Sequence, residues 1–264
     1  MIKLILVLLF SATAIYAKVN VVVSILPQKS FVEAIGGDKV DITLMVKPGH
    51  SPHTYEPKPS QMKDIQSANL YFSIGIEFEN VWLDKFATSN KDMKIINISN
   101  NIEKMGKNPH IWTTPRNIKD IGENILNALI LEDRQNKEYY EDNYKKFLQN
   151  TIDTDKKIKE ILKETPKKSR FMVFHPAWGY FAKEYDLVQV AVEVHGKNPN
   201  PKTIVKILKE AKKHGVKAIL TAPEFSDSVS KMIANELKIK VLKISPLNPK
   251  WSENLIKLAN AVAQ

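Results

Sequence analysis

The chain has 264 residues, no cysteine and a formal net charge of +10, from 39 Lys and Arg against 29 Asp and Glu. That length can bury a sizeable core without staples. The missing thiols exclude disulfides, thiolate metal ligands, cysteine nucleophiles and a lipid anchor on an N-terminal cysteine. The lysines are interleaved with Glu and Asp in runs such as "KILKEAKKHG", which reads as solvated helix faces. No aromatic residues punctuate these runs as they would in a nucleic-acid groove.

Residues 1–17, "MIKLILVLLFSATAIYA", combine an early Lys3, an apolar run from Leu4 to Phe10 and a small Ala17. This predicts an export signal, because the run falls short of the roughly 20 residues that span a bilayer. No later segment is long and apolar enough to span one, so a soluble protein free in the periplasm is expected. "KVNVVVSILP" then reads as a buried strand and "SFVEAIGG" as a short helix stopped by Gly36 and Gly37. Strand and helix continue to alternate through "DITLMVK", "SQMKDIQSA", "LYFSIG", "FENVWLDKFATS" and "KIINIS". Alternation of this kind predicts a parallel sheet with helices on its faces.

From "PRNIKDIGENILNALILED" onward the strand signal disappears. Between Asn136 and Glu164 the residues Tyr140, Tyr144, Phe147, Leu148, Ile152, Ile158, Ile161 and Leu162 recur at helical spacing, a helix of roughly 40 Å at 1.5 Å per residue. After Pro166 the alternation returns with "RFMVFH", "WGYFAKEYD", "VQVAVEV", "PKTIVKILKEAKKHG", "VKAILTA", "DSVSKMIANELK", "IKVLKIS" and "WSENLIKLANAVA". The expectation is an α/β protein of two lobes, each a mainly parallel sheet flanked by helices, joined by one long helix. The signal would occupy 1–17, the first lobe 18–133, the linking helix 134–165 and the second lobe 166–264.

Ligands of such sheets gather outside the carboxyl ends of the strands, and several of the six histidines fall there. His53 shares with His50 the loop "PGHSPHTYEP", too rich in Pro and Gly for a helix. His110 lies in "NPHIWTTP", His175 closes "RFMVFH", and His195 closes "VQVAVEVH". His214 stands at a helix C-terminus, where a cation is favoured. Each loop histidine reads either as a metal ligand or as an imidazole satisfied by backbone. Three neutral imidazoles from separate strand ends would suit zinc, which takes nitrogen donors and usually four of them. No HExxH, GxSxG, GxxxxGK[ST] or GxGxxG is present, so no enzyme is indicated.

Taken together, "PGHSPHTYEPKPSQ", "NPHIWTTPRN", "FHPAWGYFAKEYDL", "EVHGKNPNPKTI" and "APEF" resemble the periplasmic metal receptors of ABC importers. They are similar to the zinc-receptor (ZnuA-type) branch of the zinc/manganese solute-binding proteins, from about Val21 to the C-terminus. The resemblance implies two α/β lobes with a metal ion between them, held by His53, His110 and His175. It further implies a monomer that captures Zn²⁺ and delivers it to a membrane permease with modest closure. Manganese receptors of the family place a carboxylate where His175 stands, which favours zinc over Mn²⁺ here. Two features depart from the family pattern. Ser245 of "ISPL" stands where an Asp often serves as fourth ligand, leaving water, Glu224 or Glu193 for that place, and the stretch before His110 lacks a His- and acid-rich loop. His50 would support His53 or line the ion's way in. The alternatives are a manganese receptor, a metal-dependent adhesin and a zinc hydrolase.

Overall fold

A computed structural model of the chain describes residues 18–193 and 198–263. The expected export signal and His195 lie outside the described residues. The first half carries strands β1 (Val19–Val23), β2 (Val40–Leu44), β3 (Leu70–Ser73) and β4 (Lys94–Asn97), with helices α1 (Leu26–Gly36), α2 (Pro59–Gln66) and α3 (Glu77–Ser89) between them. All pairings are parallel, in the order β2-β1-β3-β4, with Val19 opposite Val40, Val21 opposite Leu70 and Leu70 opposite Lys94. The valines of β1 are almost wholly buried, as expected of a central parallel strand covered on both faces.

α1 starts at Leu26, four residues before the predicted "SFVEAIGG" segment. Pro27 occupies the first turn, where its missing N–H is no loss. The Gln28 side chain stands in for a cap: its Oε1 accepts from the backbone N–H of Ser24 and Ile25, both at 3.0 Å. A proline that looked like a boundary is therefore an initiator.

Next come α4 (Pro115–Glu132) and the 26-residue α5 (Lys137–Leu162), about 39 Å long at 1.5 Å per residue. The second half repeats the first arrangement. β5 (Arg170–Val173), β6 (Val188–Ala191), β7 (Ala218–Thr221) and β8 (Lys240–Lys243) pair in parallel in the order β6-β5-β7-β8. α6 (Gly179–Glu184), α7 (Pro201–Lys213), α8 (Ser228–Leu237) and α9 (Trp251–Ala263) accompany them. β5 ends at Val173, so His175 sits two residues beyond the strand rather than closing it.

α5 ties the halves together. Its apolar stripe, including Tyr140, Phe147, Ile158 and Leu162, is buried. Gly122 of α4 lets Phe147 approach so closely that a Cβ there would fall 2.6 Å from the ring. Phe31 of α1 meets both Phe147 and Trp251 of α9 edge-on, at 5.8 and 6.0 Å between ring centroids. Further along, Tyr185 donates to Asp155 at 2.9 Å, and the Thr154 and Ser252 hydroxyls are hydrogen-bonded. One apolar cluster thus runs from β1 through α4 and α5 to α9 and β5. A second, of Met172, Phe174, Ile207, Ile219 and Ile233, lies where α7 and α8 cover the other face of the second sheet.

Candidate metal centre

Each sheet has a point where the chain departs from its central strand in both directions, between β1 and β3 and between β5 and β7. Crevices for ligands form beyond the strand ends at such points. In the first lobe the space directly beyond β1 and β3 is taken up by a buried carboxylate. The Glu79 carboxylate accepts from the backbone N–H of Ile74 at 3.0 Å, Gly75 at 2.6 Å and Ile76 at 3.2 Å, and from the Ser24 hydroxyl at 2.5 Å. Ser24 also bonds the Tyr71 hydroxyl at 2.7 Å. Burial pushes the Glu79 carboxyl above 4.5, with Ser24 and the three N–H groups pulling the other way.

The open space lies between the strand ends of the two lobes, is lined from both, and holds histidines. His53, His110 and His175 all line one cavity of about 30 Å³, together with Glu77, Glu224, Trp112 and Phe225. That is room for roughly one water or ion. An adjoining open cleft of about 970 Å³ shares the three imidazoles.

In each ring Nδ1 faces an oxygen acceptor. His53 Nδ1 meets Glu77 Oε2 at 2.6 Å, His110 Nδ1 meets Asn108 Oδ1 at 2.8 Å, and His175 Nδ1 meets Glu193 Oε2 at 3.0 Å. The Asn108 orientation is fixed independently, because the same Oδ1 accepts the His110 backbone N–H at 3.0 Å. A neutral imidazole that donates through Nδ1 offers a lone pair at Nε2, and such partners commonly set the tautomer of metal-binding histidines. His110 Nε2 and His175 Nε2 then face each other at 3.2 Å. Two lone pairs at that distance repel unless a cation lies between them. Tetrahedral zinc with bonds of 2.0–2.1 Å separates its ligand atoms by roughly 3.3 Å.

Among the described residues no group of three His, Asp or Glu side chains is arranged to hold an ion as it stands. His110 and His175 have ligand spacing, and the third ring, His53, is packed edge-on to His175 with centroids 5.3 Å apart. Desolvation first, then the facing His175 and His53 rings, hold the His110 imidazole well below 6.5. It therefore stays neutral and available as a donor at neutral pH.

Three different anchorages place the rings. The His53 loop is closed at its base by buried Gln61, whose Nε2 donates to the carbonyls of Leu44 and Met45 at 2.9 and 2.7 Å. Gln61 Oε1 accepts from Tyr55 Oη at 2.9 Å and the Lys58 N–H at 3.0 Å. The His110 segment, which turns into a short 3₁₀ helix at Ile111–Thr113, is fastened to the second lobe. Trp112 Nε1 donates to the Pro246 carbonyl at 2.8 Å, Trp251 Nε1 donates to that of Trp112 at 2.7 Å, and Tyr180 Oη accepts from the Met105 N–H at 2.9 Å. Gly179 leaves space for Asn108, since a Cβ there would fall 2.7 Å from its Nδ2. His175 is stacked on Phe225, 4.8 Å between centroids.

The remaining candidates fall outside the cavity or line it differently. His50 is exposed, with Nδ1 3.2 Å from the Pro48 carbonyl. His214 caps α7, with Nε2 3.5 Å from Glu210. Glu193 is the acceptor of His175, while Glu224 accepts from Ser245 Oγ at 2.9 and 3.0 Å. Sequence reasoning missed Glu77 and Asn108 as partners of His53 and His110. Asn108 lies in the quoted "NPH" motif, but Glu77 is 24 positions from His53 and nothing local signals the pairing.

Comparison with known proteins agrees with this architecture. Residues 21–263 match the family model described as zinc-uptake complex component A, periplasmic (ZnuA). The chain is 29% identical over 253 residues to the high-affinity zinc uptake system protein ZnuA of Bacillus subtilis (strain 168), covering 87% of this chain and 79% of that protein. It is also 29% identical over 228 residues to the manganese ABC transporter substrate-binding lipoprotein PsaA of Streptococcus anginosus, covering 78% and 73%. A crystal structure of ZnuA superposes with a TM-score of 0.89 at 36% identity, covering 94% of this chain and 98% of that one. These relatives are solute-binding receptors rather than enzymes. The chain belongs to the ZnuA family, the metal-binding components of zinc and manganese ABC importers.

Proposed function

We propose that the protein captures Zn²⁺ in the periplasm through His53, His110 and His175 and delivers it to the permease of an ABC importer. The observation that carries this reading is the shared placement of the three rings. All three rings have Nδ1 committed to an oxygen acceptor, so three Nε2 lone pairs are available around one cavity. Nitrogen donors favour zinc over the harder manganese ion, and the zinc uptake function named for the Bacillus subtilis relative is in line with that choice.

The ligands divide unevenly between the lobes. His110 and His175 belong to one fastened unit, while His53 hangs from the first sheet on a loop closed by Gln61. An ion bound by the pair recruits the third ring, and the state with His53 engaged is the one populated in the presence of metal. The shared core around α5 keeps the accompanying lobe motion small.

The test is metal competition. The protein is stripped with chelator and dialysed against equal low Zn²⁺ and Mn²⁺, and bound metal is counted for the wild type and for His53→Ala, His110→Ala and His175→Ala. One zinc per chain, weakened by each substitution, is expected. If four donors share on the order of 10–16 kcal/mol, loss of one weakens binding roughly 100–1000-fold. Manganese outcompeting zinc, or zinc retained by all three variants, contradicts the proposal.

A further inference from the structure

Three imidazoles leave a zinc ion one donor short of its usual four. Three carboxylates stand near the rings, and two of them are already committed. Glu193 serves His175 Nδ1 and does not line the small cavity, and Glu77 serves His53 Nδ1 at 2.6 Å. Glu224 lines the cavity, and among the described residues its side-chain partner is the Ser245 hydroxyl. It follows β7, and its neighbour Phe225 stacks on the His175 ring with centroids 4.8 Å apart and planes 20° from parallel. The loop that carries Glu224 is thereby held against a ligand-bearing ring.

Resting on the receptor reading above, we infer that Glu224 supplies the fourth, anionic donor, and that Ser245 is the residue that aims it. Ser245 Oγ accepts the Leu247 N–H at 3.0 Å, which directs its own proton toward the carboxylate. The hydroxyl proton is shared between both carboxylate oxygens, at 2.9 and 3.0 Å, and of about four acceptor positions on a carboxylate the outward ones stay open, so Glu224 can keep the Ser245 bond and still ligate. Charge supports the assignment. Glu77 and Glu193 offset the ion's +2 only through the rings they hold, and the rest of the cavity wall includes Trp112, Phe225, Pro246 and Leu247, where charge left unbalanced is costly. A carboxylate halves that charge and fills the position where an open zinc site keeps a reactive water. The carrier is in this way kept from being a hydrolase.

Zinc affinity by chelator competition and zinc-edge X-ray absorption test this on the wild type, Glu224→Gln, Glu224→Ala and Ser245→Ala. The melting temperature of each metal-free protein serves as the folding control. Expected is a wild-type shell of three imidazoles and one carboxylate oxygen. Both Glu224 variants should lose at least the roughly 10–100-fold that removal of an outer partner costs, with Ser245→Ala losing less. Loaded with Co²⁺, Glu224→Ala should gain a water that azide displaces, seen as a change in the visible spectrum that the wild type does not show. If the wild type holds zinc through three imidazoles without a carboxylate, and Glu224→Ala binds as tightly, the assignment fails while the receptor reading stands. If the wild type holds no zinc through these histidines, both fail.

Discussion

The two lobes have the same strand order, yet the polar groups beyond their strand ends are used differently. Beyond β1 and β3 a single carboxylate, Glu79, gathers three backbone N–H groups and the Ser24 hydroxyl and seals the space. Beyond β5 and β7 the corresponding space holds His175, Phe225 and Glu224, with His110 fastened beside them and His53 reaching across. Both lobes thus face the same cavity, and a few side chains decide which strand-end groups are tied up in the fold and which are offered to a ligand. In the sealed crevice every polar atom named is paired within the protein. The open one brings two imidazole Nε2 atoms to 3.2 Å of each other, a spacing that suits a cation held between their lone pairs.

Breaking the seal should have the largest effect on the fold. Glu79→Ala orphans several buried donors and should destabilise the protein by about 3 kcal/mol or more. That lowers the melting temperature by roughly 6–12 °C for a chain of this size, while zinc stoichiometry stays at one. Loss of zinc binding at an unchanged melting temperature would mean that the first crevice belongs to the metal centre after all.

A smaller change sharpens the other side of the comparison. Gly179→Ala places a methyl group against Asn108 Nδ2, so the amide that orients His110 must shift. Zinc affinity should fall about tenfold, the lower end for loss of an outer-shell partner, with little change in thermal stability. Equal affinity would show that Asn108 does not set the His110 tautomer.

The smallest expected effect concerns acid. His110 is held well below its ordinary 6.5 by desolvation, so the unfolded chain takes up a proton at this residue before the folded one does. Its contribution to stability is complete above about 6.5 and is lost as pH falls from there through the lowered folded value. Thermal melts of the metal-free protein at pH 7.5 and pH 5.5 should show the wild type losing more stability than His110→Gln. An identical loss in both proteins would remove His110 as the source.

Much of the architecture was legible because it rests on local patterns. Strands such as Val19–Val23 are short apolar runs, helices stop at Gly36 and near Gly215, and α5 shows a 3.6-residue apolar period. The start of α1 was misplaced because Pro27 resembles a breaker until Gln28 is seen capping the turn. Among six histidines, spacing alone could not select three, and the family motifs made that selection. The partners were less visible. Glu77 reaches His53 and Glu79 reaches Ser24 across 24 and 55 positions, contacts that depend on how strand ends meet in space. In the sequence Glu193 stands only as one candidate for a fourth ligand beside water and Glu224, and the folded chain places it on His175 Nδ1.

The most direct test of the account is a zinc-loaded crystal examined by anomalous diffraction at the zinc edge. The account predicts one strong peak in the small cavity, bonded to Nε2 of His53, His110 and His175 at 2.0–2.1 Å, with each Nδ1 still on Glu77, Asn108 and Glu193. A peak elsewhere, or one bonded through Nδ1 of any of the three rings, would contradict it.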